Sequence, residues 1–182
     1  MNRQLINREA VDSEKTNYYH SPIGILQIKS SEQYIREIWF INSEKGPQLQ
    51  PAELKEDKKS PLVKTCMRQL DEYFAGNRQV FDFPFQQEGT PFQETVWNAL
   101  LDIPYGKTIS YLELSKRIGN PKAIRAVGTT NGKNQISIVV PCHRVIGANG
   151  SLVGYGGDLW RKKWLLEHED KVANGVQKLG EW

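Results

Sequence analysis

A cysteine and a histidine stand side by side at positions 142 and 143, and together they are suited to nucleophilic chemistry. An ionised thiol is a strong nucleophile at neutral pH, and a nearby histidine or helix N-terminus can lower the pKa of the thiol enough to ionise it. The apolar run 136–140 precedes the pair and predicts a buried strand whose end presents both side chains. The alternative is that Cys142 is a small buried hydrophobic residue and His143 a surface residue.

A carboxylate can complete this pair, because a histidine that acts as a base is usually oriented by a third group. Glu169 is the candidate, since it lies one turn beyond Leu165 on a predicted helix and can point inward. Adjacent residues of an extended strand point to opposite faces, so His143 serves Cys142 only through a turned backbone or a bridging water. The sequence alone leaves these two geometries open.

Basic residues are concentrated around the cysteine-histidine pair. The whole chain of 182 residues holds 24 Lys or Arg and 21 Asp or Glu, a net charge of +3. Residues 91–157 alone hold 7 basic and 3 acidic residues. This local excess favours a polyanionic partner, and the alternative is a scatter of solvated lysines. The length allows one large domain or two small ones.

Cysteine usage and the apolar segments predict the cell compartment. Cys66 and Cys142 are the only cysteines in the sequence. No apolar stretch approaches the roughly 20 residues needed to cross a bilayer, and the polar residues 1–4 do not lead into the apolar segment of a signal peptide. A protein of the reducing cytoplasm without membrane contact is therefore expected. Cys66 lies on an apolar stripe at helical spacing and is predicted to be part of the core.

The N-terminal half is typical of a small α/β unit that follows a polar arm. Ser60 and Pro61 are expected to cap and start a helix, which Gly76 ends. The predicted ranges are an arm over 1–17, strands over 23–29 and 34–41, a helix over 61–75 and an extended segment over 81–85.

Capping signals predict three helices in quick succession after this unit. Thr90 and Ser110 each begin a capping box, and Asn120 is expected to cap a further helix over 121–130. The two helices on either side of Gly119 match a helix-turn-helix.

The second helix of this motif has a small, basic outer face. Its predicted inward residues are Ala123, Ile124 and Val127, and its predicted outward residues are Lys122, Arg125, Ala126 and Thr129. Small side chains permit close approach to a duplex, and an arginine among them can reach a phosphate or the base stack. The alternative for Arg125 is an exposed helix charge of little consequence.

Two elements are predicted after the cysteine-histidine pair. Residues 148–151 are typical of a hairpin turn, the wing expected after a helix-turn-helix. Asp158 is expected to cap a last helix over 159–169, which packs through Leu159, Leu165 and Leu166. Residues 171–182 have little periodicity and are predicted to form a tail.

On these motifs the chain resembles the O6-alkylguanine-DNA alkyltransferases. The resemblance is strongest over 138–147, Ile-Val-Val-Pro-Cys-His-Arg-Val-Ile-Gly, and is supported by 109–111, 125–128 and 154–157. It implies an α/β (α+β) fold class, in which a small N-terminal ribonuclease-H-like α/β domain precedes a mainly helical, winged-helix-like alkyltransferase domain with a helix-turn-helix. The boundaries expected are an arm over 1–17, an N-terminal domain over 18–86, an alkyltransferase domain over 87–170 and a tail over 171–182.

The resemblance also implies the reaction. Such proteins repair DNA directly: they flip an alkylated guanine out of double-stranded DNA and transfer the alkyl group from O6 to a cysteine thiolate. Alkylated O4 of thymine is left open as a second substrate. The thioether formed is inert, so each molecule acts once, and the implied protein is a monomer without cofactor or metal that approaches DNA from the minor groove.

Catalytic roles follow residue by residue from the same resemblance. Cys142 matches the nucleophile, His143 the base that deprotonates it through water, and Glu169 the carboxylate that orients the imidazole. Tyr111 matches the hydroxyl that stabilises the departing guanine anion, and Asn134 matches a brace of the active-site turn. Without the resemblance, a first-turn aromatic, a turn former and a solvated acid would be the preferred interpretations of Tyr111, Asn134 and Glu169.

DNA and substrate contacts are implied in the same way. Arg125 matches the arginine that fills the gap left by the flipped base, on a face it shares with Lys122, Ala126 and Thr129. The implied substrate pocket is lined by Tyr111, Val145, Tyr155 and Gly156. The backbone amide of Gly156 is the candidate donor to O6, and the missing side chain there predicts a pocket that accepts groups larger than methyl.

Three positions depart from the family pattern. Gln135 stands where proline is typical, which predicts a less rigid turn before the reactive cysteine. Asp158 stands where glycine is common and either alters the pocket or caps the last helix. His20 and Cys66 do not make up the zinc ligand set of some relatives.

Two other functions compete with alkyl transfer. A damage-sensing DNA-binding protein would recruit repair partners without chemistry, and the presence of Cys142 argues against it. A thiol hydrolase would use Cys142 and His143 but would leave the basic helix-turn-helix without a role.

Overall fold

The computed structural model describes residues 14–175, which form a sheet part and a helical part around a shared core. The sheet part is an antiparallel sheet covered by one helix. Its elements are β1 (Lys15–Ser21), β2 (Gly24–Ser30), β3 (Ile35–Phe40) and α1 (Pro61–Phe74), with the strands in the order β1-β2-β3. The two predicted strands are present with slightly shifted ends.

Strand β1 was not predicted, because its sequence carries polar residues in place of an apolar alternation. It overlaps the expected arm at residues 15–17, while residues 1–13 lie outside the described range. Asn17 is fully buried in this strand, and its amide donates to the carbonyl of Asp57 at 2.7 Å. This contact satisfies the amide nitrogen, whereas the side-chain oxygen of Asn17 is buried with no hydrogen-bond partner among residues 14–175.

Helix α1 forms where its cap predicts. The Ser60 hydroxyl accepts from the backbone N–H of Val63 at 3.2 Å, and Pro61 occupies the first helical position. The face that includes Val63, Cys66 and Tyr73 is buried against the sheet. The predicted core position of Cys66 is therefore confirmed.

The helical part carries the remaining elements. In chain order they are α2 (Pro91–Leu101), β4 (Ile109–Ser110), α3 (Tyr111–Arg117), α4 (Ile124–Asn131), β5 (Val145–Ile146) and α5 (Leu159–Asn174). Two of the three caps predicted here form: Thr90 and Gln93 make a reciprocal capping box, and the Ser110 hydroxyl accepts from the N–H of Glu113 at 3.0 Å. The predicted cap at Asn120 is wrong, because α4 starts after Ala123 and has no side-chain cap. Helices α3 and α4 pack together as the predicted helix-turn-helix.

Helix α4 begins three residues later than predicted. The carbonyl of Asn120 accepts from the N–H of Ala123 at 3.0 Å, which closes a turn before the helix starts. The predicted inward position of Ile124 is wrong, because this first helical residue is 40% exposed, whereas Val127 is fully buried as predicted.

The predicted hairpin at 148–151 is not present. Gly147 donates its N–H to the carbonyl of Ser151 at 2.8 Å, so the chain does turn here, but no strand follows among the residues up to 175. Strand β5 pairs in parallel with β4 instead. The turn therefore leads directly into a loop that returns to α5.

The apolar run 136–140 is buried but is not the predicted strand. Ile138 has a φ of 73°, and the N–H of Val140 bonds back to the carbonyl of Ile136 at 3.0 Å. The run pairs with the sheet part at an isolated bridge between Ile38 and Ile136, where Ser137 donates to the carbonyl of Ile38 at 2.9 Å. Hydrophobicity predicted burial here, while local turn bonds decided the backbone path.

Helix α5 begins at the predicted position, but Asp158 does not cap it with its side chain. The Asp158 carboxylate accepts from the N–H of Glu44 at 2.7 Å and pairs with Arg161. Leu165 is buried as predicted, whereas Leu159 is 47% exposed, contrary to prediction. The helix runs to Asn174, past the expected start of the tail, and residues 176–182 lie outside the described range.

Within residues 14–175, none of the helices combines the length and the hydropathy that crossing a bilayer requires.

Thr90→Ala is expected to lower the free energy of unfolding by about 1 kcal/mol, because it removes the hydroxyl that caps α2. Urea denaturation measures this. Thr90→Ser keeps a capping oxygen and serves as the control, so an equal loss in both variants would contradict the capping role.

Candidate active site

Cys142 lies in a single helical turn, not at the end of a strand. Residues Cys142–Arg144 form a 3-10 turn directly after Pro141. This turned backbone is one of the two geometries left open by the sequence. Both Cys142 and His143 are buried, with 3% and 0% exposure.

Asn134 lies at the centre of the polypeptide turn that leads to the cysteine. Its amide nitrogen donates to the carbonyl of Val140 at 2.8 Å and contacts Cys142 Sγ at 3.1 Å, and its oxygen accepts from the N–H of Ile136 at 3.1 Å. One buried side chain thus joins three points of the irregular run. It supplies locally the constraint that a proline at the position of Gln135 would add.

Burial raises the pKa of the Cys142 thiol above its ordinary value. Asn134, Lys162 and the backbone N–H groups of Cys142 and His143 oppose this rise without cancelling it. The thiol is therefore protonated at neutral pH in the free protein. An ionisable neighbour must take its proton before it can act as a nucleophile.

His143 is the adjacent ionisable residue in the chain. Its Nε2 lies 2.7 Å from Glu169 Oε1, while its Nδ1 is buried and has no hydrogen-bond partner among residues 14–175. Burial lowers the pKa of His143, Glu169 opposes this, and Arg144 and Lys162 add to it. A neutral ring that donates through Nε2 to Glu169 keeps Nδ1 as a free acceptor.

Glu169 holds the densest set of hydrogen bonds in the site. Besides His143 it accepts from the Tyr73 hydroxyl at 2.9 Å, from Arg144 Nε and Nη2 at 2.8 and 3.0 Å, and from the N–H of Gly106 at 3.2 Å. Burial raises the pKa of Glu169, but the histidine and the arginine outweigh it and hold the pKa well below its usual range. The predicted inward orientation is confirmed, and the carboxylate is ionised.

The sequence analysis missed Tyr73 and Arg144 as partners of this carboxylate. Arg144 belongs to the motif around Cys142, so its position next to His143 was the available signal. Tyr73 lies on α1, 96 residues before Glu169, and no local pattern connects the two.

Lys162 is a second buried cation that the sequence analysis missed. Its Nζ donates to the carbonyls of Val145 and Val153 at 2.6 and 2.7 Å and lies 5.8 Å from the centre of the Tyr111 ring. Burial lowers its pKa to about 8, and attraction to Cys142 opposes this. Its position on the inner face of α5, between Arg161 and Leu165, was a weak signal.

The predicted pocket residues lie around this cysteine on separate segments. The Tyr111 hydroxyl donates to the carbonyl of Val153 at 2.9 Å, and burial raises its pKa to about 12. Val145 on β5 and Tyr155 in the following loop are buried at 0% and 4% exposure, and Gly156 is buried beside Tyr155.

Helix α4 connects an exposed basic face to this pocket. The four predicted outward residues are all exposed: Lys122, Arg125, Ala126 and Thr129. On the inner side, the Asn131 amide donates to the carbonyl of Cys142 at 3.2 Å. Gly128 lies against the Tyr111 ring, because a Cβ on this glycine would be 3.8 Å from the ring carbons. A molecule bound on the outer face is one helix width away from the pocket.

No group of three or more His, Cys, Asp or Glu side chains that could hold a metal ion occurs in the described part of the chain.

Two sequence families match the chain, one for each part of the structure. Residues 15–87 match the ribonuclease-like domain of 6-O-methylguanine DNA methyltransferase, and residues 91–171 match its DNA-binding domain.

Curated relatives are similar over most of both chains. The methylated-DNA–protein-cysteine methyltransferase of Methanosarcina acetivorans is 44% identical over 151 residues, which cover 83% of this chain and 95% of the relative. The constitutive methylated-DNA–protein-cysteine methyltransferase of Bacillus subtilis is 40% identical over 160 residues, which cover 86% and 97%.

A solved structure has the same fold. The Mycobacterium tuberculosis protein OGT, crystallised in complex with DNA, superposes with a TM-score of 0.76 at 42% identity and covers 86% of this chain and 93% of its own.

Glu169→Gln is expected to lower the free energy of unfolding at pH 7 by about 3–5 kcal/mol, because it leaves Arg144 buried without its charge partner. The pKa of Glu169 is depressed by folding, so its contribution is present above the unfolded pKa of about 4.3 and is lost as the pH falls below that value. The difference in unfolding free energy between the two proteins should therefore stay constant from pH 7 to about 5 and narrow as the pH falls from there towards 3.

Glu167→Gln is the matched control on the same helix. Glu167 is 39% exposed and pairs with Lys163 at 3.8 Å, so its loss is expected to cost less than about 1 kcal/mol. A constant difference between wild type and Glu169→Gln down to pH 3 would contradict the charge-pair explanation.

Proposed function

We propose a residue-level mechanism for this chain, which belongs to the 6-O-methylguanine DNA methyltransferase family and repairs DNA by transferring an alkyl group to a cysteine. The observation that carries the proposal is the buried Cys142 beside a histidine whose Nε2 is held by Glu169 and whose Nδ1 remains an open acceptor. Such a site holds a protonated thiol that can be ionised on demand.

Proton removal is the first step of the proposed mechanism. The Cys142 proton passes through a water molecule to His143 Nδ1, and the imidazolium formed is stabilised by Glu169 at 2.7 Å. Arg144 and Lys162 disfavour a resting imidazolium, so the charge is carried only while the thiolate is present. Lys162 and the Asn134 amide stabilise the thiolate.

Alkyl transfer follows as a displacement at carbon. The thiolate sulfur forms a bond to the alkyl carbon, the bond from that carbon to O6 of guanine breaks, and its electron pair stays on the base. The Gly156 backbone N–H is proposed to donate to O6, and Val145 and Tyr155 to flank the base. The product is a thioether on Cys142, and the protein is consumed in one turnover.

Tyr111 is proposed to stabilise the guanine anion at ring N3. Its hydroxyl keeps its proton because its pKa is raised to about 12, so it can donate a hydrogen bond to the anion. The bond that it makes to the Val153 carbonyl is exchanged for one to the base.

The DNA partner is proposed to be a duplex that carries O6-alkylguanine, with alkylated O4 of thymine as an open second substrate. The exposed face of Lys122, Arg125, Ala126 and Thr129 approaches the minor groove, and Arg125 fills the space of the flipped base. A monomer is proposed, because one chain carries both the DNA face and the cysteine. A cytoplasmic location is proposed because the free thiol must stay reduced.

Neither competing function has an observation that favours it. A lesion sensor needs no nucleophile, yet Cys142 is present beside a histidine that can take its proton. A thiol hydrolase gives no role to the exposed basic face on α4.

Cys142→Ala is expected to abolish uptake of a methyl group from duplex DNA that contains O6-methylguanine, because it removes the acceptor sulfur. The intact protein mass after incubation measures uptake, with an increase of one methyl group expected for wild type. Cys66→Ala is the matched control, since Cys66 is fully buried in the core and should leave uptake at one equivalent. Methyl uptake by the Cys142→Ala protein would refute the assignment.

Arg125→Ala is expected to slow methyl uptake from duplex DNA by about tenfold or more, because unstacking a base costs a few kcal/mol and the arginine offsets part of that cost. Uptake from the free base O6-benzylguanine should stay within about twofold of wild type, because no base is flipped. The control is Arg68→Ala on α1, an exposed arginine of the sheet part. Equal losses on duplex and free base would contradict a base-flipping role.

A further inference from the structure

The loop over the substrate pocket, here called the pocket loop (residues 155–158), rests on strand β3 of the sheet part. A Cβ on Gly156 would lie 2.9 Å from Trp39 Cη2 and 3.1 Å from Cζ2, and a Cβ on Gly157 would lie 2.8 Å from Phe40 Cδ2. These distances are shorter than a relaxed carbon contact. The loop and the strand are therefore packed with no space between them.

The run that leads to Cys142 is joined to the same strand. Ile38 donates its N–H to the carbonyl of Gln135 at 2.9 Å, and its own carbonyl accepts from Ser137 at 2.9 Å. Three consecutive residues of β3 thus contact both this run and the pocket loop.

Two further contacts fix the pocket loop at its far end. Asp158 accepts from the N–H of Glu44, which follows β3, at 2.7 Å, and it pairs with Arg161. Arg161 is buried, donates to the carbonyl of Ile23 at 2.7 Å and lies over the Phe40 ring at 4.8 Å. The aspartate that departs from the family's glycine therefore anchors the loop to the sheet part.

The backbone of Gly156 allows other residues. Its φ is not among the positive values in this chain, so the contact with Trp39, and not the conformation, is what excludes a side chain. The missing Cβ makes room for the indole ring. This differs from the sequence-based expectation, in which the missing side chain widened the pocket itself.

We propose that strand β3 sets the width of the alkyl pocket, with Trp39 as a specificity-determining positioning residue that limits the size of the O6 substituent. The inference rests on the proposed function. A bulky substituent such as benzyl needs the pocket loop to withdraw from Cys142, and the indole ring behind Gly156 opposes this movement. The sheet part thereby selects substrates that it does not touch.

Paired size changes on the two sides of the contact test this inference. Gly156→Ala adds a methyl group against Trp39 and pushes the loop towards Cys142, so the ratio of benzyl to methyl uptake rates should fall about threefold or more. Trp39→Leu removes the ring behind the loop, so the same ratio should rise about threefold or more. In the double variant the added methyl group no longer meets the ring, so the ratio should match that of Trp39→Leu alone and not return to the wild-type value that independent effects would give.

The rates are measured by intact protein mass on two short duplexes that differ only in O6-methylguanine or O6-benzylguanine. Val80→Ala is the control, since this residue of the sheet part is 73% exposed, and it should leave the ratio unchanged. Trp39→Phe is the milder variant to use if Trp39→Leu does not fold, and it should change the ratio in the same direction.

Unchanged ratios in the folded single variants, with methyl uptake retained, would overturn the role of β3 and leave the proposed function intact. Additive effects in the double variant would also overturn it, because they would show that the two residues act independently. Absence of uptake by wild type on both duplexes would overturn the proposed function, and this inference with it.

Discussion

The site depends on one buried negative charge. An ionised carboxylate without water is tolerated only when it is paired and hydrogen-bonded, and Glu169 meets this condition with four donor residues from three different segments. Arg144 pairs with the negative charge of the carboxylate. The Gly106 N–H, the Tyr73 hydroxyl and His143 Nε2 supply its other hydrogen bonds. Each donor is fixed in place because the carboxylate cannot be left incompletely satisfied.

This arrangement favours the unreactive, protonated form of Cys142 in the free protein and places groups nearby that can support its ionisation. Burial keeps the thiol of Cys142 protonated and the imidazole of His143 neutral, so the free protein carries no exposed thiolate that would be oxidised or alkylated at random. The oriented imidazole and the nearby Lys162 make ionisation possible inside the same closed site. Reactivity is therefore a property of the occupied pocket.

Local signals predicted what is locally determined. Side-chain caps at Ser60, Thr90 and Ser110 fixed three helix starts, and the spacing from Leu165 indicated the inward orientation of Glu169. The irregular run 136–140 was not predictable, because turn bonds made by Asn134 override its apolar pattern. The buried positions of Lys162 and Tyr73 were not predictable either, because each side chain bonds to a segment distant in sequence. Hydrophobic periodicity does not indicate which polar group a side chain from another element will contact.

The hydroxyl of Tyr73 makes the active site sensitive to changes in α1. It lies on a helix of the sheet part, yet it bonds the same carboxylate oxygen as His143. A hydrogen bond from the sheet part therefore completes the site in the helical part. Repair-deficient alleles should arise at α1 as well as around the cysteine, although α1 contributes none of the residues assigned to DNA contact.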